Sequence, residues 1–224
     1  MTDEPFDVSE DPGRPERVVE GAPGAMLVIL SGPSGVGKDT IIEALQRREA
    51  ADGRDGDRFY VVTCTTRAPR NGEVDGIDYH FLSREEFLRM RAERGFLEAN
   101  EVHRNWYGSP RASVRDALVA GRDAILKIDV QGAQVVKEQV SEALLIFIVP
   151  PTLETLFHRL RSRATETVDQ LEQRQRDAAS ELARRHDYDY VVVNETGQVE
   201  RTAEEIDRII AKEHRKNPRR RVRI

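Results

Sequence analysis

The stretch Met26-Leu27-Val28-Ile29-Leu30-Ser31-Gly32-Pro33-Ser34-Gly35-Val36-Gly37-Lys38-Asp39-Thr40 decides the fold. Five apolar residues predict a buried strand, Gly32 to Lys38 fit the pattern GxxxxGK, and the following stripe Ile41, Ile42, Leu45 predicts a helix. That order of strand, loop and helix lets backbone N–H groups converge on phosphate oxygens. Gly32, Gly35 and Gly37 carry no Cβ that would stop the loop folding back on itself, while Pro33, Ser34 and Val36 fill its other positions. Lys38 adds a point charge, and the positive end of the helix dipole falls on the same spot. The stretch therefore predicts a grip on a nucleoside triphosphate. Asp39 stands where the pattern calls for Ser or Thr, and Thr40 supplies a hydroxyl one position later. Both are candidates to ligate Mg²⁺.

Outward from this loop the chain alternates strand and helix. Strands are expected at Phe59 to Cys64, Ala124 to Ile128, Leu144 to Val149 and Tyr190 to Val193, and a helix from Lys38 to about Arg48. Such alternation implies an α/β fold, a parallel sheet core with helices on its faces. The polar run 51–57 reads as a loop. From Thr65 to about Pro110 the rhythm changes, with short strands expected at Asp78 to Leu82 and Phe96 to Val102 around a helix from Arg84 to Arg94. That stretch reads as an inserted lobe. Residues Leu153 to Arg185 are densely charged and helical in pattern.

The 224 residues, 38% hydrophobic and 33% charged, suit a soluble protein with one good core and a smaller lobe, and no run is long and apolar enough to span a bilayer. Cys64 is alone, so no disulfide framework or cysteine-based zinc site arises within the chain, and a cytoplasmic location is expected. The net charge of −5 argues against general nucleic-acid binding. Residues 1–24, rich in Gly, Pro and acidic groups, are expected to be a disordered tail, and the basic residues 213–224 a solvated, frayed end.

In the lobe, Thr65-Thr66-Arg67-Ala68-Pro69-Arg70-Asn71-Gly72-Glu73 sets two arginines three apart around a proline that stiffens the chain. Guanidinium groups offer planar, bidentate donors suited to phosphate. This segment, together with Asp78-Tyr79-His80-Phe81, Phe96-Leu97-Glu98, Asn105-Trp106-Tyr107-Gly108-Ser109, Ile128-Asp129-Val130-Gln131-Gly132-Ala133 and Arg163-Ala164-Thr165-Glu166-Thr167, closely resembles guanylate kinase. The likeness covers about residues 25–212.

The resemblance implies a P-loop NTPase fold in three parts: a core (25–62, 111–150, 187–212), a GMP-binding lobe (63–110) and a mobile lid (151–186). It implies ATP and GMP or dGMP as substrates, with Mg²⁺. Arg67, Arg70, Tyr79 and Tyr107 would hold the GMP phosphate. Glu98, Ser109 and Thr63, the last in place of a common serine, would face guanine, and Glu73 and Asp129 would complete the acceptor set. Lys38 and the lid arginines Arg159, Arg163 and Arg174 would neutralise charge on the transferring group, and Asn194 matches a position that contacts adenine. No specific nucleic acid or membrane partner is implied.

The chemistry of Glu98 stands without the resemblance. Guanine presents two donors on its Watson–Crick edge, and an ionised carboxylate accepts both, whereas adenine opposes a lone pair to it.

Besides Thr63, four positions depart from the family. Asp39 replaces a hydroxyl residue; Lys127 replaces a usual acidic residue two before Asp129; Arg104 and Ala164 replace glycines. The Gly37-Lys38-Asp39 run also resembles the ribose 1,5-bisphosphate phosphokinases of phosphonate metabolism, which stand as an alternative. A non-catalytic guanylate-kinase-like binding module is a second.

Overall fold

A computed structural model describes residues 18–102, 104–161 and 168–224, without the side chains of 168–172 and 174. Arg163, Ala164 and most of the N-terminal tail lie outside the described residues.

Strand β1 (Leu27–Ser31) is buried along its whole length. It sits at the centre of a five-stranded sheet ordered β2-β7-β1-β8-β9, with β2 at Arg58–Tyr60, β7 at Asp123–Lys127, β8 at Leu144–Val149 and β9 at Tyr190–Val193. Every pairing in it is parallel. A parallel sheet is covered on both faces, which is why β1 and β8 read as unbroken apolar runs. Alternation along the strand sorts the residues between two cores. Met26, Val28 and Leu30 pack with Ile41 and Leu45 of helix α1 (Lys38–Ala51) and Ile206 and Ile210 of helix α7 (Val199–Lys216). Leu27 and Ile29 point the other way, towards Val114 and Leu118 of α3 (Arg111–Val119) and Ala133 and Val136 of α4 (Val130–Gln139).

A second sheet, ordered β4-β3-β6-β5, consists of β3 (Cys64–Thr65), β4 (His80–Phe81), β5 (Phe96–Val102) and β6 (Asn105–Pro110). Helix α2 (Arg84–Ala92) backs it, opened by a capping box between Ser83 and Glu86. Its small core stacks Phe87 on Phe96, ring centroids 4.4 Å apart, beside Trp106 and Cys64. Helices α5 (Leu153–Arg161) and α6 (Val168–Ala183) follow β8. No helix among the described residues is long and apolar enough to cross a membrane.

The structure departs from the sequence expectation in several places. The run Phe59 to Cys64 is not one strand: β2 joins the first sheet and β3 the second, so the chain crosses between sheets at Val61 to Thr63. The strand expected at Asp78 to Leu82 shortens to His80–Phe81. Strand β6 and helices α3, α4 and α7 are not among the elements read from the apolar pattern.

The ends also differ from expectation. Glu20 bridges antiparallel to Arg223, Gly21 N–H donates to Val222 O and Val19 N–H to Ile224 O. Val222 is fully buried against Leu118 and its neighbours. Several basic residues of the C-terminal run are paired with carboxylates. Lys216 and Arg220 donate to buried Glu213 at 2.6 and 2.9 Å, and Arg221 to Glu20 at 2.7 Å. Although burial alone would raise it, Lys216, Tyr190 and Arg220 hold the Glu213 carboxyl down at about 2.

Candidate active site

The donor loop stands at the C-terminal end of β1, where ligands gather in open α/β sheets. Gly32 has φ +147, and a Cβ there would lie 2.3 Å from the Ile148 carbonyl oxygen, so only glycine lets the loop pass β8. Gly37 has φ +98 and caps α1 in the left-handed region. Val36 is fully buried in the core with Leu156 and Leu160 of α5, which anchors the loop from beneath, and Gly35 passes so close to Leu160 that a Cβ would meet its methyl at 2.9 Å.

Lys38 Nζ donates to the carbonyls of Gly32 at 2.6 Å and Pro33 at 3.3 Å. Burial holds its pKa below the usual lysine range, against the pull of Glu181, Asp39 and Asp129. Glu181 of α6 accepts from the Ser34 backbone N–H, and burial pushes its carboxyl up. Nothing in the local sequence marks Glu181, because its place beside Lys38 depends on how α6 folds over the loop.

Asn194 is 5% exposed at the end of β9 and committed to the loop: its amide donates to Val36 O at 2.7 Å and accepts from Thr202 Oγ1 at 3.2 Å. Arg159 reaches the same place from α5, donating to Val36 O, Asn194 O and Thr196 Oγ1 at 3.1–3.2 Å. These two residues brace the donor loop. Of the other arginines expected in a lid, Arg163 lies outside the described residues, and so does the side chain of Arg174. The Thr40 hydroxyl donates to Gly37 O at 2.8 Å, and Asp39 pairs with Lys127 at the end of β7.

Most of the residues expected to take the acceptor come together on or beside the second sheet. Antiparallel register places Glu98 of β5 opposite Ser109 of β6. The Ser109 hydroxyl donates to Glu98 Oε1 at 2.6 Å and the Asn100 amide to Oε2 at 3.0 Å. Glu98 is 6% exposed, and burial pushes its carboxyl up to about 7 despite those two donors. Asn100 was not among the sequence candidates, although its place two residues along the same strand face puts it beside Glu98. Gly132 of α4 closes the other side: a Cβ there would stand 2.9 Å from Glu98 Oε2. Thr63 is buried at the crossing between sheets, with its carbonyl accepting from His80 N–H.

Arg67 is held in place by Glu73 through a bidentate pair at 2.8 and 2.9 Å, and its guanidinium lies 5.4 Å from the centroid of the Tyr79 ring. Tyr79 and Tyr107 meet edge to face with centroids 6.2 Å apart. Glu73 also accepts from Arg70 N–H at 2.6 Å, so it organises the two arginines, and the Arg70 residue itself is exposed. Asp129 has a second use: its Oδ1 accepts from Gly132 N–H at 2.7 Å and caps α4, satisfying a donor that every helix start leaves orphaned.

The arrangement thus combines a phosphate cradle at the end of one sheet with a buried carboxylate and an Arg–Tyr–Tyr cluster on the other. Comparison with known proteins gives it a family. The model of the family described as guanylate kinase matches residues 24–213. A guanylate kinase of Latilactobacillus sakei is 41% identical over 194 residues, covering 87% of this chain and 92% of the relative. One of Clostridium perfringens is 44% identical over 188 residues, covering 84% and 83%. Among solved structures, the crystal structure of guanylate kinase from Anaplasma phagocytophilum aligns with a TM-score of 0.67 and 33% identity, covering 88% of each chain. The chain belongs to the guanylate kinase family.

Proposed function

We propose that the protein transfers the terminal phosphoryl group of ATP to GMP or dGMP, giving ADP and GDP or dGDP, as a step of purine nucleotide metabolism. The observation that carries this reading is the Glu98 carboxylate, buried between Ser109 and Asn100 at the sheet edge. Its two oxygens suit the N1–H and 2-amino donors of guanine, and a buried acceptor pair rejects a base that offers a lone pair there. A ribose bisphosphate has no such edge, so Glu98 would have no purpose in the alternative phosphokinase.

Phosphoryl transfer between phosphates needs alignment and charge neutralisation rather than a covalent intermediate. Residues 32–38 would bind the β- and γ-phosphates of ATP through backbone N–H groups and Lys38. Arg67, with its plane fixed by Glu73, would take the GMP phosphate together with Arg70 and the hydroxyls of Tyr79 and Tyr107. Lys38 then exchanges the Gly32 and Pro33 carbonyls for phosphate oxygens. Arg159, Arg163 and Arg174, from α5 and the chain that follows it, are the proposed lid cations. Residues 63–110 and 151–186 are the proposed acceptor lobe and lid around the core.

The Thr40 hydroxyl offers a hard oxygen donor that suits Mg²⁺, and Asp39, whose charge is paired with Lys127, would reach the ion through a bound water; no cluster of three or more His, Cys, Asp or Glu side chains that could hold a metal stands among the described residues. This ion keeps waters and uses one or two protein oxygens alongside substrate phosphates, so the donor set fits. When bound with ATP it supplies charge neutralisation at the phosphates. A cytoplasmic setting accords with the free, buried Cys64, whose thiol burial pushes up to about 12. The pairing of Lys216, Arg220 and Arg221 with carboxylates argues against a specific nucleic-acid partner.

A coupled ADP-release assay offering GMP, AMP and ribose 1,5-bisphosphate in parallel tests the reading. Turnover with GMP at least about 10²-fold above AMP is expected. Equal use of the three acceptors, preference for the ribose bisphosphate, or binding without turnover would each overturn it.

A further inference from the structure

Asp39 and Lys127, 88 residues apart in sequence, meet in an ion pair at the mouth of the site. Asp39 is the second residue of α1, next to Lys38 of the donor loop. Lys127 ends β7, with its side chain 23% exposed against 63% for Asp39. The Lys127 ammonium also lies 5.5 Å from the centroid of the Tyr79 ring, and Tyr79 in turn packs on Tyr107 and Arg67. One cation therefore reaches both halves of the site: the start of the helix below the donor loop through Asp39, and the Tyr79 ring beside the second sheet.

An ion pair with one partner this exposed contributes little to folding stability. Its consequence has to be sought in what the two charges face. A bare carboxylate beside Lys38 would repel the phosphates that the loop collects, and a bare ammonium on a long stem would swing freely. Paired, the carboxylate is neutralised and the ammonium is held in one place.

We propose that Asp39 and Lys127 act as one unit, in which Asp39 anchors Lys127 as a positioning cation between the donor and acceptor phosphates. In this unit the two opposite charges compensate each other. The inference rests on the reading of the site as one for ATP-to-GMP transfer, and the wild-type assay above tests that reading separately.

A double-mutant cycle on the full chain decides it, with Asp39→Asn, Lys127→Gln and the double variant measured for kcat, both KM values and Tm. Lys127→Gln is expected to lower kcat about 10²-fold, because it leaves Asp39 unneutralised, and Asp39→Asn about tenfold. The double variant should recover about tenfold over Lys127→Gln alone. Alignment matters only when both substrates are bound, so the KM for ATP should move less than about threefold, and a merely structural pair would not give that split. Lys127→Arg, which keeps the cation, should exceed Lys127→Gln by at least about tenfold. Losses that multiply in the double variant, a loss confined to the KM for ATP, a loss that follows Tm, or no rescue by arginine would overturn the proposal.

Discussion

The donor and acceptor ends of the site are built from different materials. At the proposed donor end backbone sets the shape: Gly32, Gly35 and Gly37 bring the chain against Ile148, Leu160 and Asn194 with no room for a Cβ. At the proposed acceptor end side chains set it, with Glu98 fixed by Ser109 and Asn100, and Arg67 by Glu73. Main-chain donors recognise phosphate without regard to what it is attached to. Side chains with fixed partners can choose one base. The difference predicts that damage to the donor end is structural and general, while damage to the acceptor end is chemical and selective.

Gly32→Ala should have the largest effect. A methyl group 2.3 Å from the Ile148 oxygen at φ +147 cannot be absorbed by a side-chain rotation, so β8 or the loop must move. A loss of about 2–4 kcal/mol in stability is expected from urea denaturation, together with loss of ATP binding. Normal stability and ATP affinity would break the comparison at its donor side.

Glu98→Gln should spare the fold and strike the substrate. The kcat/KM for GMP should fall about 10²–10⁴-fold with little change in the KM for ATP. The same variant should be more stable than wild type at pH 8. A free glutamate titrates near 4.5 and Glu98 near 7, so the folded state binds that proton more tightly. Its burial therefore costs stability that appears as pH rises through this window and is complete above about 7, on the order of 2 kcal/mol. Thermal melts at pH 8 check the sign, and a less stable variant would contradict it.

The same carboxyl sets a pH dependence of smaller size. As pH falls from 8 to 6 the protonated form loses an acceptor, so the KM for GMP should rise several-fold with a midpoint near 7. The KM for ATP should stay flat, and the rise should vanish in Glu98→Gln. Arg67→Lys is expected to be milder still. It keeps the charge but loses the bidentate hold on Glu73, and should raise the KM for GMP about tenfold or less without changing base preference. A changed preference would show that phosphate and base readout are not separable in this lobe.

This division also governs what the sequence reveals. The donor loop is contiguous and its pattern local, so Gly32 to Thr40 could be read directly. The acceptor set is scattered over separate segments that meet only through the second sheet, its β3–β4 connection and the start of α4. Resemblance supplied it, since spacing could not. Strand β6 was obscured because Asn105, Gly108 and Pro110 are poor strand formers. The run Phe59 to Cys64 is uniform in character, and nothing in it announces a change of sheet. Helix α7 was legible in principle from its buried Ile206, Ile209 and Ile210, whereas the meeting of Asp39 with Lys127 depends on the parallel order of β1 and β7.

Gly132 gives the molecule an unusual point of leverage. It belongs to helix α4, which packs on the first sheet, yet it marks the wall against which Glu98 rests. On the proposed reading, base preference is adjustable by inheritance at position 132, which lies outside the proposed base-binding set. A single methyl at position 132 would push the carboxylate off its register, and a lineage could drift in acceptor choice with every recognised binding residue unaltered.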